Sequence, residues 1–284
     1  MRGLKTGLLL IALTLLLVLG GQALYGVGGM EIGFAIAFIM NISAYFFSDK
    51  IALKSSHAQP VTREQAPMLY TVVERLAAKG NIPMPKLYVI PEEAPNAFAT
   101  GRNPNHASVA ATVGLLKLMN EDELEGVIAH ELSHVRNYDI LISSVAAMLA
   151  GAITMIASIA RWGLIFGNVG GGRNNRDGNP IAMLLMILVA PIAALLLQLG
   201  ISRQREYAAD AAGVRLVGHP YGLISALKKL GEYNKRIPMN VPPTTSSLFI
   251  VAPLSARSLM TGLFSTHPPL NERIAVLQNM TFTR

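Results

Sequence analysis

Four apolar stretches divide an otherwise polar chain. The first runs from about Thr6 to Tyr25, is dominated by Leu, and follows a basic start containing Arg2 and Lys5. The second runs from about Met30 to Phe47, with Glu31 at its edge. The third, Ile140 to Ala160, and the fourth, about Ile181 to Ile201, carry no charge, and Pro191 lies inside the fourth. Each approaches the ~20 apolar residues that a helix needs to cross a hydrocarbon layer ~30 Å thick, so the pattern predicts four transmembrane helices. The first stretch also has the basic start and small-residue ending (Gly21-Gln22-Ala23) of a cleaved signal peptide, but a second apolar segment follows almost at once, as in a membrane hairpin. The third and fourth would alternatively be core helices of a soluble domain, against which their length and lack of charge argue.

The polar pieces between the spans, Asp49–Asp139 and Ser202–Arg284, are together long enough for one globular domain. Thr62-Arg63-Glu64-Gln65 has a capping-box pattern and predicts a helix ending near Gly80. Leu87–Ile90 and Ala107–Val113 read as strands, with Pro95–Gly101 an extended segment or sheet edge between them. Asn120 is a good N-cap, with Glu121, Asp122 and Glu123 in the first turn of a helix that passes through His134 and ends near Tyr138. The expected fold is mainly α within an α+β class. Residues 1–48 form one transmembrane hairpin and 140–201 another, with a Gly-rich loop at 161–180. Residues 49–139 and 202–284 form a single domain from two chain segments.

Composition supports this division. Of 284 residues, 51% are hydrophobic and 14% charged, and the mean hydropathy is +0.41; an ordinary soluble domain carries about a quarter charged residues. The absence of cysteine removes disulfide scaffolds, thiol catalysis and cysteine zinc sites. A net charge of +7 would suit nucleic acid, but in a membrane chain it reports orientation. Lys50 and Lys54 open one polar piece and Arg203 and Arg205 the other, whereas the loop around Gly21–Gly29 is uncharged. The positive-inside rule therefore places both pieces and the N-terminus in the cytoplasm. The 161–180 loop, with Arg161, Arg173 and Arg176 against Asp177, is discordant.

The candidate chemistry lies on the capped helix, in His130-Glu131-Leu132-Ser133-His134. Residues four apart share a helix face, so both imidazoles reach one ion with Glu131 beside them. Zinc suits this set, because a catalytic zinc takes three protein ligands and keeps one position for water. Val127, Ile128, Leu132 and Val135 form the helix's buried stripe. Glu206 is the candidate third ligand, and Asp210, one turn on, would accept a hydrogen bond from a ligand imidazole. The alternative for this pair is a surface ion pair with Arg203 or Arg205. If His130, His134 and Glu206 share an ion, the chain between them crosses the membrane an even number of times, as the spans at 140–160 and 181–201 allow.

Four segments in order, Asn96-Ala97-Phe98-Ala99-Thr100-Gly101, His130–His134, Glu206-Tyr207-Ala208-Ala209-Asp210 and Thr266-His267-Pro268-Pro269, make the whole chain resemble the HtpX family of bacterial membrane zinc metalloproteases, relatives of the CAAX-prenyl endoprotease. The resemblance implies a zincin-like (gluzincin) domain facing the cytoplasm from the inner membrane. The implied activity is hydrolysis of misfolded or damaged membrane proteins in envelope quality control and stress response, with self-cleavage. It implies one Zn2+ held by His130, His134 and Glu206, with Glu131 as catalytic base. It also implies that substrate lies along Asn96, Ala97, Phe98, Ala99 and Thr100, where edge pairing would bind peptide backbone with little demand on side chains. His267 and Arg273 are candidate stabilisers of the developing oxyanion. His267 would otherwise be a resting zinc ligand or the start of a Pro-rich turn. His57, His106 and His219 read as solvated loop residues, and Tyr207 and Trp162 as packing or interface anchors. The expected partners are the membrane-protein substrates and the lipid bilayer, not nucleic acid. Two other functions compete: a catalytically silent zinc-binding scaffold or adaptor, and a small transporter, disfavoured because its spans lack ionisable residues apart from Glu31.

Overall fold

A computed structural model of the chain describes residues 2–146, 203–234, 248–251 and 268–280. Helical backbone runs through α1, Arg2–Ser55, but the rod is not straight. Asn41 Nδ2 donates to Thr14 Oγ1 at 2.8 Å and to the Leu10 carbonyl at 3.3 Å. In a straight helix, residues 27 apart would be separated by about 40 Å. The reversal is at Gly26, whose φ of +64° is a left-handed conformation that glycine adopts without a Cβ penalty. The two arms then touch through small residues. A Cβ on Gly33 would lie 2.3 Å from the Leu17 carbonyl oxygen, and one on Gly21 would lie 2.1 Å from that of Gly29. Gly29, Gly33, Ala37, Ala44, Ser48 and Ala52 form the buried stripe of the second arm, the kind of close contact that packs helices without a hydrophobic driving force. Ile32, Phe34, Phe38, Ile39 and their neighbours point outward, exposed. Among the described residues one helical segment, Gly26–Ser55, is long and apolar enough to cross a membrane, and the first arm contributes a shorter apolar run, Thr6–Gln22. The spans expected at 140–160 and 181–201 and the 161–180 loop lie wholly or largely outside the described residues, as does Trp162.

Beyond α1 the chain alternates between a small sheet and helices. The elements are β1 (Gln59–Pro60), α2 (Pro67–Gly80), β2 (Lys86–Ile90), β3 (Ala97–Gly101), β4 (Ala107–Thr112), α3 (Val113–Leu118) and α4 (Glu121–Asn137). A helical segment, 139–146, follows α4 directly. After the undescribed stretch come α5 (Arg203–Val217), α6 (Tyr221–Asn234) and α7 (Leu270–Gln278). The order in the sheet is β1-β2-β4-β3, with β2 and β4 parallel and the other pairs antiparallel. β3 is therefore an edge strand.

The capping pattern at Thr62 does not open a helix. Thr62 N–H does donate to Gln65 Oε1 at 2.9 Å, but within a turn. The residue before a proline is pushed out of the α region, so Ala66 stays at φ −140° and α2 starts at Pro67. The end at Gly80 is as expected, with Asn81 in a left-handed cap.

Both faces of the sheet are covered, and this selects its small residues. Ala97, Ala99, Val109 and Ala111 pack with α2 and α4 in the main core. Phe98, Ala110 and Ile90 face the other way, onto Ala52 and Leu53 of α1 and onto Phe249. The Phe98 and Phe249 rings meet edge to face with centroids 5.0 Å apart. α6 crosses α4 at backbone contact, where a Cβ on Gly126 would be 2.5 Å from Leu223 N.

Candidate active site

The site is built from the middle of α4, the start of α5 and the edge of the sheet. α4 begins with a full capping box: Glu123 N–H donates to Asn120 Oδ1 at 2.9 Å, and Asn120 N–H to Glu123 Oε2 at 3.0 Å. Glu123 is buried and also accepts from Lys229 Nζ and Ser225 Oγ, each at 2.7 Å, which ties the helix start to α6. Val127, Ile128, Leu132 and Val135 are almost wholly buried, so the helix is fixed in rotation and His130 and His134 share one face.

α5 comes close enough to complete the site because of Gly213. A Cβ there would lie 2.9 Å from His130 N and 3.1 Å from the Ala129 carbonyl carbon. The approach brings Glu206 to the two imidazoles. His134 Nε2 lies 3.2 Å from His130 Nε2 and 3.4 Å from Glu206 Oε1, and His130 Nε2 lies 3.7 Å from Glu206 Oε2. One donor atom from each residue falls within 4.8 Å of the others. Ligands about 2.1 Å from a tetrahedral zinc stand roughly 3.4 Å from one another, so the set fits that ion.

The outer hydrogen bonds point the same way. His130 Nδ1 is 2.8 Å from Asp210 Oδ1, and His134 Nδ1 is 3.3 Å from Asp139 Oδ2. Each Nδ1–H donates to its carboxylate, which leaves both Nε2 atoms as acceptors aimed at each other and at Glu206. Such a concentration of lone pairs calls for a cation or a shared proton. For His134 two influences oppose each other. Burial by itself disfavours the imidazolium, yet hydrogen bonds to Asp139 and Glu206 and the charges of Glu206 and Glu131 push it up to about 10. His130, fully buried, is pushed down by desolvation despite Asp210.

Glu131 is 3% exposed, and its Oε2 accepts the Ala99 backbone N–H at 2.8 Å. Ala99 pairs with Val109 as one of the β3 residues (97, 99 and 101) whose peptide groups face away from β4. Glu131 therefore stands against the outer edge of β3. Burial raises its carboxyl to about 8, and the negative charge of Glu206 adds to the rise.

Other expected site residues fall into place unevenly. Asp210 does orient His130. Burial alone would raise its carboxyl, but Arg273 and His130 hold it at about 2. Arg273 is completely buried. It donates to Asp210 through Nε at 2.8 Å and Nη2 at 2.7 Å, and to the Ile250 carbonyl through Nη1 at 3.1 Å. It also approaches His130 Nδ1 at 3.4 Å through Nη2 and Glu206 Oε2 at 4.0 Å through Nη1. His267 lies outside the described residues. Within the expected substrate segment, the Asn96 side chain donates to the Val251 carbonyl and accepts the Val251 and Ala97 N–H groups. Phe98 is buried on the far face, and Thr100 Oγ1 bonds Ser144 Oγ at 2.9 Å. The Ala99 carbonyl is what remains at the edge, its N–H being taken by Glu131. His57 and His106 are exposed as expected, but His219 is half-buried and stacks on Tyr221 with centroids 5.8 Å apart. Tyr207 donates to Glu272 Oε2 at 3.1 Å, joining α5 to α7.

Asp139 was not anticipated. It reaches back to His134 because Tyr138 ends α4 in the left-handed region, at φ 63°. A conformation that costs a non-glycine residue roughly 1–2 kcal/mol leaves no mark in the sequence.

The model of peptidase family M48 matches residues 63–281. The chain is 51% identical over 275 residues to a protease HtpX homolog of Desulforapulum autotrophicum, spanning 97% of this chain and 89% of that one. With the protease HtpX homolog of Pelotomaculum thermopropionicum the identity is 51% over 280 residues, spanning 99% of each. The crystal structure of S. mikatae Ste24p shares the fold, with a TM-score of 0.54 at 21% identity; the match covers 97% of this chain but 64% of that longer one. With its two histidines, Glu206 and Glu131 converging at the edge of the sheet, this chain belongs to peptidase family M48, among the HtpX proteases, and is a metallopeptidase.

Proposed function

We propose that the chain is a membrane-anchored zinc endopeptidase of the inner membrane, with its active site facing the cytoplasm, that hydrolyses misfolded or damaged membrane proteins in envelope quality control and also cuts itself. The observation that carries this reading is the convergence of His130, His134 and Glu206 beside a buried Glu131 held against the outer edge of β3. The apolar, outward-facing α1 hairpin supports the membrane anchor, and the flanking Lys50, Lys54, Arg203 and Arg205 support the cytoplasmic side.

His130, His134 and Glu206 would hold the zinc, with Asp210 and Asp139 fixing the two imidazole orientations. When bound, zinc supplies a Lewis acid that activates water and polarises the scissile carbonyl. Glu131 takes the proton from the attacking water and passes it to the leaving amine. The substrate backbone pairs with the outer edge of β3 at Ala99, which demands little of the substrate's side chains. Arg273 acts by positioning Asp210 and His130. His267 is assigned as the second donor to the oxyanion.

Glu131→Gln is the test. The amide keeps the shape of the carboxylate and leaves the three ligands in place, so the variant should retain stoichiometric zinc and lose cleavage of unfolded casein in detergent. Full activity in this variant would refute the assignment.

A further inference from the structure

The direction of β3 relative to α1 has a bearing on which substrates reach the site. At one end of β3, Phe98 packs on Ala52 and Leu53 near the end of α1. Just past the other end, the Arg102 guanidinium lies 5.7 Å from the centroid of the Phe46 ring. From Leu53 back to Phe46 is about 10 Å along a helix, and from Phe98 to Arg102 is about 13 Å along a strand. The strand therefore runs back down the helix, nearly along its axis. Tyr45, Phe46 and Phe47 are exposed, and Lys50 Nζ sits 5.4 Å from the Phe47 ring centroid. Aromatic rings followed by lysines mark the level at which a membrane helix leaves the bilayer. The C-terminal end of β3 thus lies at the interface, and its N-terminal end points away from it.

The free part of the edge lies on the membrane side. Ala97 C=O is taken by Ile250 N–H at 3.0 Å, and Asn96 bonds Val251, so the edge is closed at its far end. Ala99 C=O, which also faces outward, has no partner among the described residues. A peptide added to this edge pairs most stably antiparallel. Its N-terminal part then lies along β3 near the bilayer, and its C-terminal part passes Glu131 and leaves at Ile250.

We propose, resting on the membrane peptidase reading above, that the enzyme cuts segments that follow a membrane helix, with the N-terminal side of the cut bond held toward the bilayer, and discriminates against segments that precede one. Ala99 lies three residues from Arg102, about 10 Å in an extended strand. The cut therefore falls within about three to six residues of the membrane boundary.

The test uses the full chain co-expressed with pairs of single-span substrates. One reporter segment is placed on the active-site side, either after or before the membrane helix, with spacers from two to twenty residues. Cut positions and rates are read by mass spectrometry against a Glu131→Gln background, with unfolded casein as a soluble control for the purified enzyme. The expected result is at least tenfold faster cleavage of the segment that follows its helix, at positions within about six residues of the boundary. Equal rates, the reverse preference, or cuts that stay with the reporter sequence and move away from the boundary as the spacer lengthens would overturn the proposal. A chain that fails on casein as well overturns the peptidase reading beneath it.

Discussion

Replacing Gly213 by Ala separates two effects that usually travel together. In the interior of α5 the change removes the conformational cost of glycine, worth about 1 kcal/mol in favour of the helix. The new Cβ, however, meets backbone atoms of α4 that cannot rotate away, at 2.9 Å from His130 N and 3.1 Å from the Ala129 carbonyl carbon. Ordinary contact begins near 3.4 Å, so α5 must retreat by about half an ångström, an overpacking strain of roughly 1–3 kcal/mol. The expected sum is a loss of stability of about 0–2 kcal/mol. The same retreat carries Glu206 away from His130 and His134, and sites of this kind need their geometry held to about half an ångström. Zinc affinity should therefore fall about tenfold or more, equivalent to about 1.4 kcal/mol. Gly231→Ala in α6 is the control, because its Cβ would meet the flexible end of the Leu270 side chain at 3.0 Å. It should leave zinc affinity unchanged. Thermal unfolding in detergent and competition with a chelator measure both quantities. A Gly213→Ala protein stabilised by about 1 kcal/mol, with wild-type zinc affinity, would refute the claim that this glycine sets the distance between the ligand-bearing helices.

Further expectations concern groups around the site and the hairpin. Asp210→Asn leaves Arg273 buried opposite a neutral amide, so stability should drop by roughly 3 kcal/mol or more in chemical denaturation, and zinc affinity should fall 10- to 100-fold in chelator competition. Asp139→Asn should weaken zinc by about tenfold with a small effect on unfolding, because Asp139 is less enclosed than Asp210. Burial alone would raise the Glu123 carboxyl, but Lys229, Ser225 and the Asn120 backbone hold it below its ordinary value. Its contribution to stability is therefore complete above the ordinary carboxylate range and is lost as pH falls through its depressed pKa. Denaturation midpoints between pH 3 and 7 should fall less steeply in Glu123→Gln than in the wild type. Gly33→Leu should splay the hairpin, since even a Cβ would collide with the Leu17 carbonyl. In a chain without native cysteine, cross-linking between Thr14→Cys and Asn41→Cys should then be lost.

The parts of this architecture that were legible in the sequence rest on local chemistry. Asn120 and Glu123 close a capping box without outside help, and the i, i+4 spacing of His130 and His134 fixes their common face. The short strands at residues 86–90 and 107–112 follow from apolar runs between turn residues. Elsewhere a competing local rule or a distant partner decided the outcome. Pro67 overrode the capping pattern at Thr62 through the steric demand it makes on Ala66. Arg273 was a candidate because it follows the His267-Pro268-Pro269 segment, and its binding to Asp210 depends on how α7 packs against α5. Asp139 joined the site through the backbone angle of a single tyrosine. His219 was read as solvated, although Tyr221, two residues on, covers its ring.

The division of the ligands between α4 and α5 also bears on the order of synthesis. Glu206 follows His134 by 72 residues. A chain leaves the ribosome N-terminus first, at about 5–20 residues per second, so both histidines and Glu131 are made several seconds before their carboxylate partner. Throughout that interval the nascent chain carries two imidazoles and a would-be base but no complete metal site. A hydrolase made among unfinished membrane proteins thereby stays inert until its own second half has been produced.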